Sequence, residues 1–425
     1  MSARPGPWSA FVVALIFLAL AIMAGFWRPR EQVLPPPKIL WKLTALAPEP
    51  SWDDIAAANA THGEFTTALG DVYGFDNSWA DTIKITPTHA EITIATATPE
   101  ANPLRLDFHG GPPRQSPLAG FWRPAATLPP LAAGKPPLDG VRIAIDPGHI
   151  GGDWAKMEER WYQVPEQPTQ VMEGELTLKT AEVLRALLEP LGATVRLVRD
   201  KLEPVTAQRP SDFASQTSSA EQRELYFYRK AELRARADLV NNEIRPDVVI
   251  CLHFNAETWG DPNNVQLIMV NHLHLIVNGH YSADELNYDD VRCDMLRRLL
   301  QGIHHEEIRL ADAVATAMAR STGLPPYDYG QGHMAQSAHR VLPGNPYVWA
   351  RNLMANRLYL CPVIYCEPYV MNSREVYQRL AAGDYEGEKM VAGKNRRSLF
   401  REYARGVADG LKTYYETARR SGLAQ

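Results

Sequence analysis

Three residues that bind metals or move protons each follow a short apolar run. Residues 141–145 lead through Asp146, Pro147 and Gly148 to His149, residues 247–252 lead to His253, and residues 362–366 lead to Glu367. Short apolar runs of this kind read as buried strands. In open α/β sheets, ligands bind outside the carboxyl ends of the strands. Two histidines and a glutamate at three strand ends therefore converge on one site. Glu173, just ahead of a helical stretch, is a fourth acidic candidate, and Glu175 lies two residues beyond it. Two imidazoles and one carboxylate are a common zinc set that leaves one position open for water. A single histidine after a strand is more often a structural residue. The combination carries the reading.

The elements that must hold these residues are legible after Gly140. Helical spacing over 176–191 (Leu178, Ala181, Leu184, Leu188) stops at Gly192, and residues 194–198 form a strand. A charged amphipathic helix over 223–244 precedes the strand 247–252. A further strand is expected over 265–270, a helix over 308–322, the strand 362–366 and a closing helix over 398–418. Strands alternating with long helices predict an α/β domain with a mainly parallel twisted sheet flanked by helices. We place this domain at 141–420.

Ahead of it, residues 109–140 form a Pro/Gly-rich linker and residues 41–108 a small accessory domain, in which 82–96 alternates as a hairpin would. Residues 29–40 are a stiff Pro-rich spacer. Residues 10–26 are apolar and uncharged, with Arg4 before and Arg28 after, so 1–28 reads as a membrane anchor or a signal segment. That segment implies export to the periplasm or cell envelope, with the membrane itself a partner if it stays uncleaved.

The formal charge is −5, from 44 basic and 49 acidic residues, and nothing in it suggests a nucleic-acid binder, which usually shows a basic domain or stripe. Four cysteines are too few for a disulfide scaffold, and Cys251 and Cys366 lie in apolar runs where free thiols are expected. The cluster from His304 to Glu307 opens a helix, where acidic residues favour the dipole. His272, His274 and His280 flank an apparent insertion at 278–303 and read as packed or solvated. Arg229, Arg234 and Arg236 read as the solvated face of their helix. The insertion, with its acidic start, is expected to act as a lid or docking element over the site.

Asp146-Pro147-Gly148-His149, followed by Gly151-Gly152, resembles the opening motif of the zinc-dependent N-acetylmuramoyl-L-alanine amidases of the amidase-3 type. Cys251-Leu252-His253-Phe254-Asn255-Ala256 is similar to that family's second histidine motif. The segment from Pro362 to Glu367, with Asn372 and Glu375, resembles the one that carries its catalytic glutamate. Placing Ala181, Leu184 and Leu187 on the family's helical offsets selects Glu173 over Glu175. The resemblance implies zinc held by His149, Glu173 and His253, and Glu367 as catalytic base. It implies cleavage of the amide between N-acetylmuramic acid and L-alanine in peptidoglycan. Asn255 would bind substrate or fix the His253 loop, and Asp146 would support the ligands from behind. Departures are Ile150 inside the usual His-Gly-Gly run and a long stretch over 153–172. Competing readings are a zinc hydrolase of another amide or peptide, and a non-catalytic wall-binding protein on the same scaffold. The sequence names no protein activator.

Overall fold

The computed structural model describes residues 47, 50–94, 103–110, 120–167, 170–330 and 336–421. Residues 43–425 form one compact unit, and the apolar run at 10–26 lies outside the described residues. Among the described residues, no helix is long and apolar enough to cross a membrane.

A first, three-stranded antiparallel sheet joins β1 (Ile83–Ile85), β2 (His89–Ile92) and β3 (Leu104–Asp107), with β1 and β2 making the expected hairpin. The α/β part adds β4 (Arg142–Pro147), a hairpin of β5 (Trp161–Gln163) and β6 (Gln170–Met172), β7 (Thr194–Leu197), β8 (Val248–Leu252) and β9 (Leu273–Val277). It ends with β10 (His339–Arg340), β11 (Val348–Ala350) and β12 (Val363–Pro368). Seven of these make the main sheet in the order β10-β11-β9-β12-β8-β4-β7. Four of its six neighbouring pairs are parallel, and β12–β9 and β10–β11 are antiparallel. The sheet is thus mainly parallel, as expected. The strand expected at 265–270 forms instead at β9, because Met269 and Val270 are exposed while every residue of β9 is buried.

Both faces of the sheet are covered, which explains the unbroken apolar runs. Val248, Ile250 and Leu252 enter one core, while Val249 and Cys251 enter the other. The helices Glu173–Leu188, Ile303–Thr322 and Leu399–Ser421 pack together on the first face. The second face carries a helical run from Ala220 to Ile244, interrupted by π-turns at Phe227–Ala231 and Leu239–Ile244. All four cysteines are buried free thiols.

Two regions depart from the sequence expectation. The insertion at 278–303 is no lid: its helices Ala283–Leu286 and Asp289–Leu300 share a core with residues 55–106. Val291, Met295 and Leu296 pack there beside Phe65 and Leu69, so the apolar stripe of the insertion is consumed away from the cleft. Residues 120–140 lie along the α/β part, with Ala125, Leu128 and Leu138 in its main core.

Asp247 pins that strap. Its carboxylate accepts from the Arg123 amide (3.2 Å) and guanidinium (2.9 Å) and from the Arg142 amide (2.9 Å) and guanidinium (2.7 Å). Burial works to raise its pKa, but these bonds win and lower it. A carboxyl with a lowered folded pKa contributes stability above its unfolded value, near 3.9, which is lost as pH falls through the folded value. Asp247→Ala is therefore expected to cost about 2 kcal/mol at pH 7, since both arginines are partly exposed. In urea melts, the gap from wild type should shrink at pH 3. An equal gap at both pH values would contradict this account.

Candidate active site

The strand order β12-β8-β4 sets three parallel carboxyl ends side by side; Glu367 lies near the end of β12 itself, and the loops leaving β8 and β4 carry His253 and His149. The helix Glu173–Leu188 starts at Glu173 itself and directs that carboxylate between the two imidazoles. One ligand atom each from His149, Glu173 and His253 lie within 4.8 Å of one another, and among the described residues this is the only such metal-competent group. Glu173 Oε1 lies 3.1 Å from His253 Nδ1 and accepts from the Phe254 amide at 3.1 Å. Glu173 Oε2 lies 3.2 Å from His149 Nε2, yet it is buried with no hydrogen-bond partner. Glu175 is outside the cluster.

Electrostatics follow from this packing. Burial would raise the Glu173 carboxyl, but His149, the His253 hydrogen bond and Arg160 hold it at about 2. Burial and the charge of Glu173 raise the Glu367 carboxyl from its ordinary value, against the pull of His253. For His253, burial acts downward and is outweighed by Glu173 and Glu367, which raise the imidazole.

Two glycines make the approach possible. A Cβ on Gly148 would fall 2.3 Å from the His253 ring, and one on Gly174 would fall 2.3 Å from the Gly151 amide nitrogen. The second contact is backbone against backbone, so no rotamer relieves it. Gly174→Ala should cost about 1–3 kcal/mol and drive the helix start away from the His149 loop. Thermal melts and metal titrations together test this, and a variant as stable and as metal-competent as wild type would contradict it.

His149 has a left-handed backbone, φ 57°, an uncommon conformation for a side-chain-bearing residue. Arg236 supports it from below. Its guanidinium donates to the carbonyls of Pro147 (2.8 Å) and His149 (2.9 Å), and to Asp146 Oδ1 (2.8 Å) and Glu232 Oε1 (2.8 Å). Asp146 also accepts from the Tyr359 hydroxyl. The solvated arginine face expected for this helix is corrected here: Arg229 is exposed, but Arg234 is half-buried and Arg236 fully buried. The apolar positions Leu233, Ala237 and Val240 share a stripe with Arg236, a signal present in the spacing alone. Asn255 turns the His253 loop, its Oδ1 accepting from the Ala256 amide at 2.6 Å and its backbone bonding Pro368 and Met371.

A cleft of about 880 Å³ opens over this group, walled by Trp161, Trp259, Tyr327 and Tyr329 and flanked by Arg160 and Arg351. His274 also faces it. Because β9 runs antiparallel to β12, its beginning lies at the site, and His274 pairs directly with Glu367. Strand-end reasoning looked past it for that reason. Buried His272 and His280 lie outside the cleft lining. Of the His304–Glu307 cluster, Glu307 is consumed by an ion pair with Arg298 and by the Val363 amide.

A profile described as N-acetylmuramoyl-L-alanine amidase matches residues 143–393 of this sequence. The chain belongs to that family. Like other N-acetylmuramoyl-L-alanine amidases, it hydrolyses the amide joining N-acetylmuramic acid to L-alanine in peptidoglycan. Solved amidases are among the structures to which the chain is similar, at low identity. The CwlD amidase of Clostridioides difficile, determined in complex with the GerS lipoprotein, is 12% identical with a TM-score of 0.39, over 65% of this chain and 100% of that one. Ami1 of Mycobacterium smegmatis is 15% identical with a TM-score of 0.39, over 66% and 99%. The catalytic domain of CwlV from Bacillus (Paenibacillus) polymyxa var. colistinus is 13% identical with a TM-score of 0.36, over 64% and 97%. No curated protein matches the chain in sequence.

Proposed function

We propose that this amidase works with a zinc ion held by His149, Glu173 and His253, and with Glu367 as its proton carrier. The observation that carries the reading is the buried Glu173 Oε2, left without a hydrogen bond 3.2 Å from His149 Nε2, in a carboxylate whose other oxygen meets His253 Nδ1. A buried carboxylate oxygen that forms no hydrogen bond is costly, and a cation supplies what is missing. Imidazole and carboxylate donors together suit zinc. Bound there, zinc would polarise the scissile carbonyl and acidify a water molecule.

The chain's own residues do the rest. Glu367 accepts the proton of the attacking water on its carboxylate and returns it to the departing L-alanine nitrogen. Its position is fixed by β12 and by the Tyr403 hydroxyl, which donates to the carbonyls of both Cys366 (2.8 Å) and His253 (3.1 Å). The same tyrosine thereby ties the base to a ligand loop. Asn255 acts as a loop anchor, and Asp146 acts through Arg236.

The test uses purified protein and peptidoglycan, with and without a chelator. Release of stem peptides beginning at L-alanine should stop with chelator and return with added zinc. Full turnover in chelator would overturn the metal reading. An enzyme of the cell wall must work outside the cytoplasmic membrane, and residues 10–26 are proposed as its export or anchoring segment. Cell fractionation of tagged protein should place it in the envelope, and a purely cytoplasmic pool would refute this.

A further inference from the structure

The stretch over 153–172, longer than the family pattern suggested by the sequence, contains a carboxylate that nothing above uses. Glu158 is 6% exposed, yet its chain neighbour Glu159 is open to solvent. The short 3₁₀ turn at Gly152–Trp154 and the turns after it bring the chain back so that Glu158 faces the loop it has just left. Glu158 Oε2 accepts from the Ile150 amide at 2.8 Å and from the Gly151 amide at 3.3 Å. Its other oxygen lies 3.5 Å from His149 Nδ1, while Nε2 of the same ring faces Glu173. Every one of these contacts falls on the three residues from His149 to Gly151.

We propose that Glu158 is a positioning residue for His149, the outer member of a carboxylate–histidine–metal relay supplied by the 153–172 stretch. The proposal rests on the metal reading above. Its physical basis is the two-sided nature of imidazole. A carboxylate at Nδ1 accepts only, so it fixes the ring proton on Nδ1 and leaves the Nε2 lone pair free for a cation. The two backbone amides hold that carboxylate in place, and Arg236 holds the His149 carbonyl. The left-handed backbone of His149 is thereby clamped twice. Ile150 fits the same logic: it is buried with Phe213 and Phe227, which fastens the loop where a glycine would leave it loose.

Glu158→Gln separates orientation from packing. Its amide oxygen must face the two backbone N–H groups, so its NH₂ must face Nδ1. That donor demands a lone pair on Nδ1 and moves the ring proton to Nε2, the atom required for metal. Zinc affinity would be measured on the full chain by competition with a chromophoric chelator, for wild type, Glu158→Gln and Glu158→Ala. The melting temperature of each metal-free protein would be recorded alongside. We expect both variants to bind zinc about 10–100-fold more weakly. Glu158→Gln should melt within a few degrees of wild type. Zinc affinity within twofold of wild type for Glu158→Gln would overturn the proposal, whatever happens to its stability. Should Glu158→Ala not fold, the glutamine variant alone decides. A wild type that binds no zinc would overturn the metal reading and this inference together, an outcome distinct from tight wild-type binding with unaltered variants.

Discussion

Glu367→Gln is expected to keep its metal and lose about 10²–10⁴-fold in kcat, the usual contribution of a positioned acid–base group. The substitution preserves shape and the β12 backbone but removes the only function proposed for the side chain, that of taking and returning a proton. Glu367 stands outside the group formed by His149, Glu173 and His253, so zinc content should remain near wild type. The burial and the neighbouring Glu173 charge that raise its pKa make it a better base than an exposed glutamate. The amide cannot do this work at any pH. Mass analysis of released stem peptides, with metal content measured on the same sample, checks the result. A variant within tenfold of wild type would remove Glu367 from the chemistry. Loss of zinc together with activity would instead make it part of the metal's support.

Glu173→Gln is expected to abolish metal binding and activity together. Its oxygen can still accept from the Phe254 amide, which directs the new NH₂ group towards His149 Nε2. A donor then stands where an anionic ligand stood. The loss of affinity should exceed the roughly 10–100-fold that outer partners contribute. Excess zinc should restore little turnover, unlike the case of Glu158, where affinity alone is weakened. Isothermal titration with zinc decides between them. Near-normal binding by Glu173→Gln would return Glu175 to consideration as the third ligand. The two substitutions have opposite signatures, since one separates metal from turnover and the other removes both.

Much of the α/β part was legible because its signals are local. Runs such as 247–252 are apolar throughout, and a strand covered on both faces must be so. Leu178, Ala181, Leu184 and Leu188 mark a helix face, and Gly192 stops it with φ 95°. Parallel strands bring their carboxyl ends to one edge, so His149, His253 and Glu367 could be assembled from sequence alone. Glu173 needed the family's helical offsets, because two glutamates stand two residues apart at the helix start. The structure separates them by direction: Glu173 enters the group and Glu175 does not.

What the sequence could not determine depends on contacts between distant segments. The spacing of Arg236 put it on the apolar stripe of its helix, but its partner in the interior, Asp146, 90 positions away, is named by the fold alone. Glu158 had no visible task until the turns after Gly152 folded it back on the His149 loop. His274 read as a packed or solvated residue, because strand direction, which composition does not encode, is what puts the start of β9 at the site. The insertion at 278–303 looked free to cover the cleft, but residues 55–106 bury its apolar stripe elsewhere. By itself the sequence determined the chemistry: which side chains are available, and on which kinds of element. Only the tertiary structure decided which of them meet, because burying a charge or pairing a strand depends on partners that local sequence does not contain.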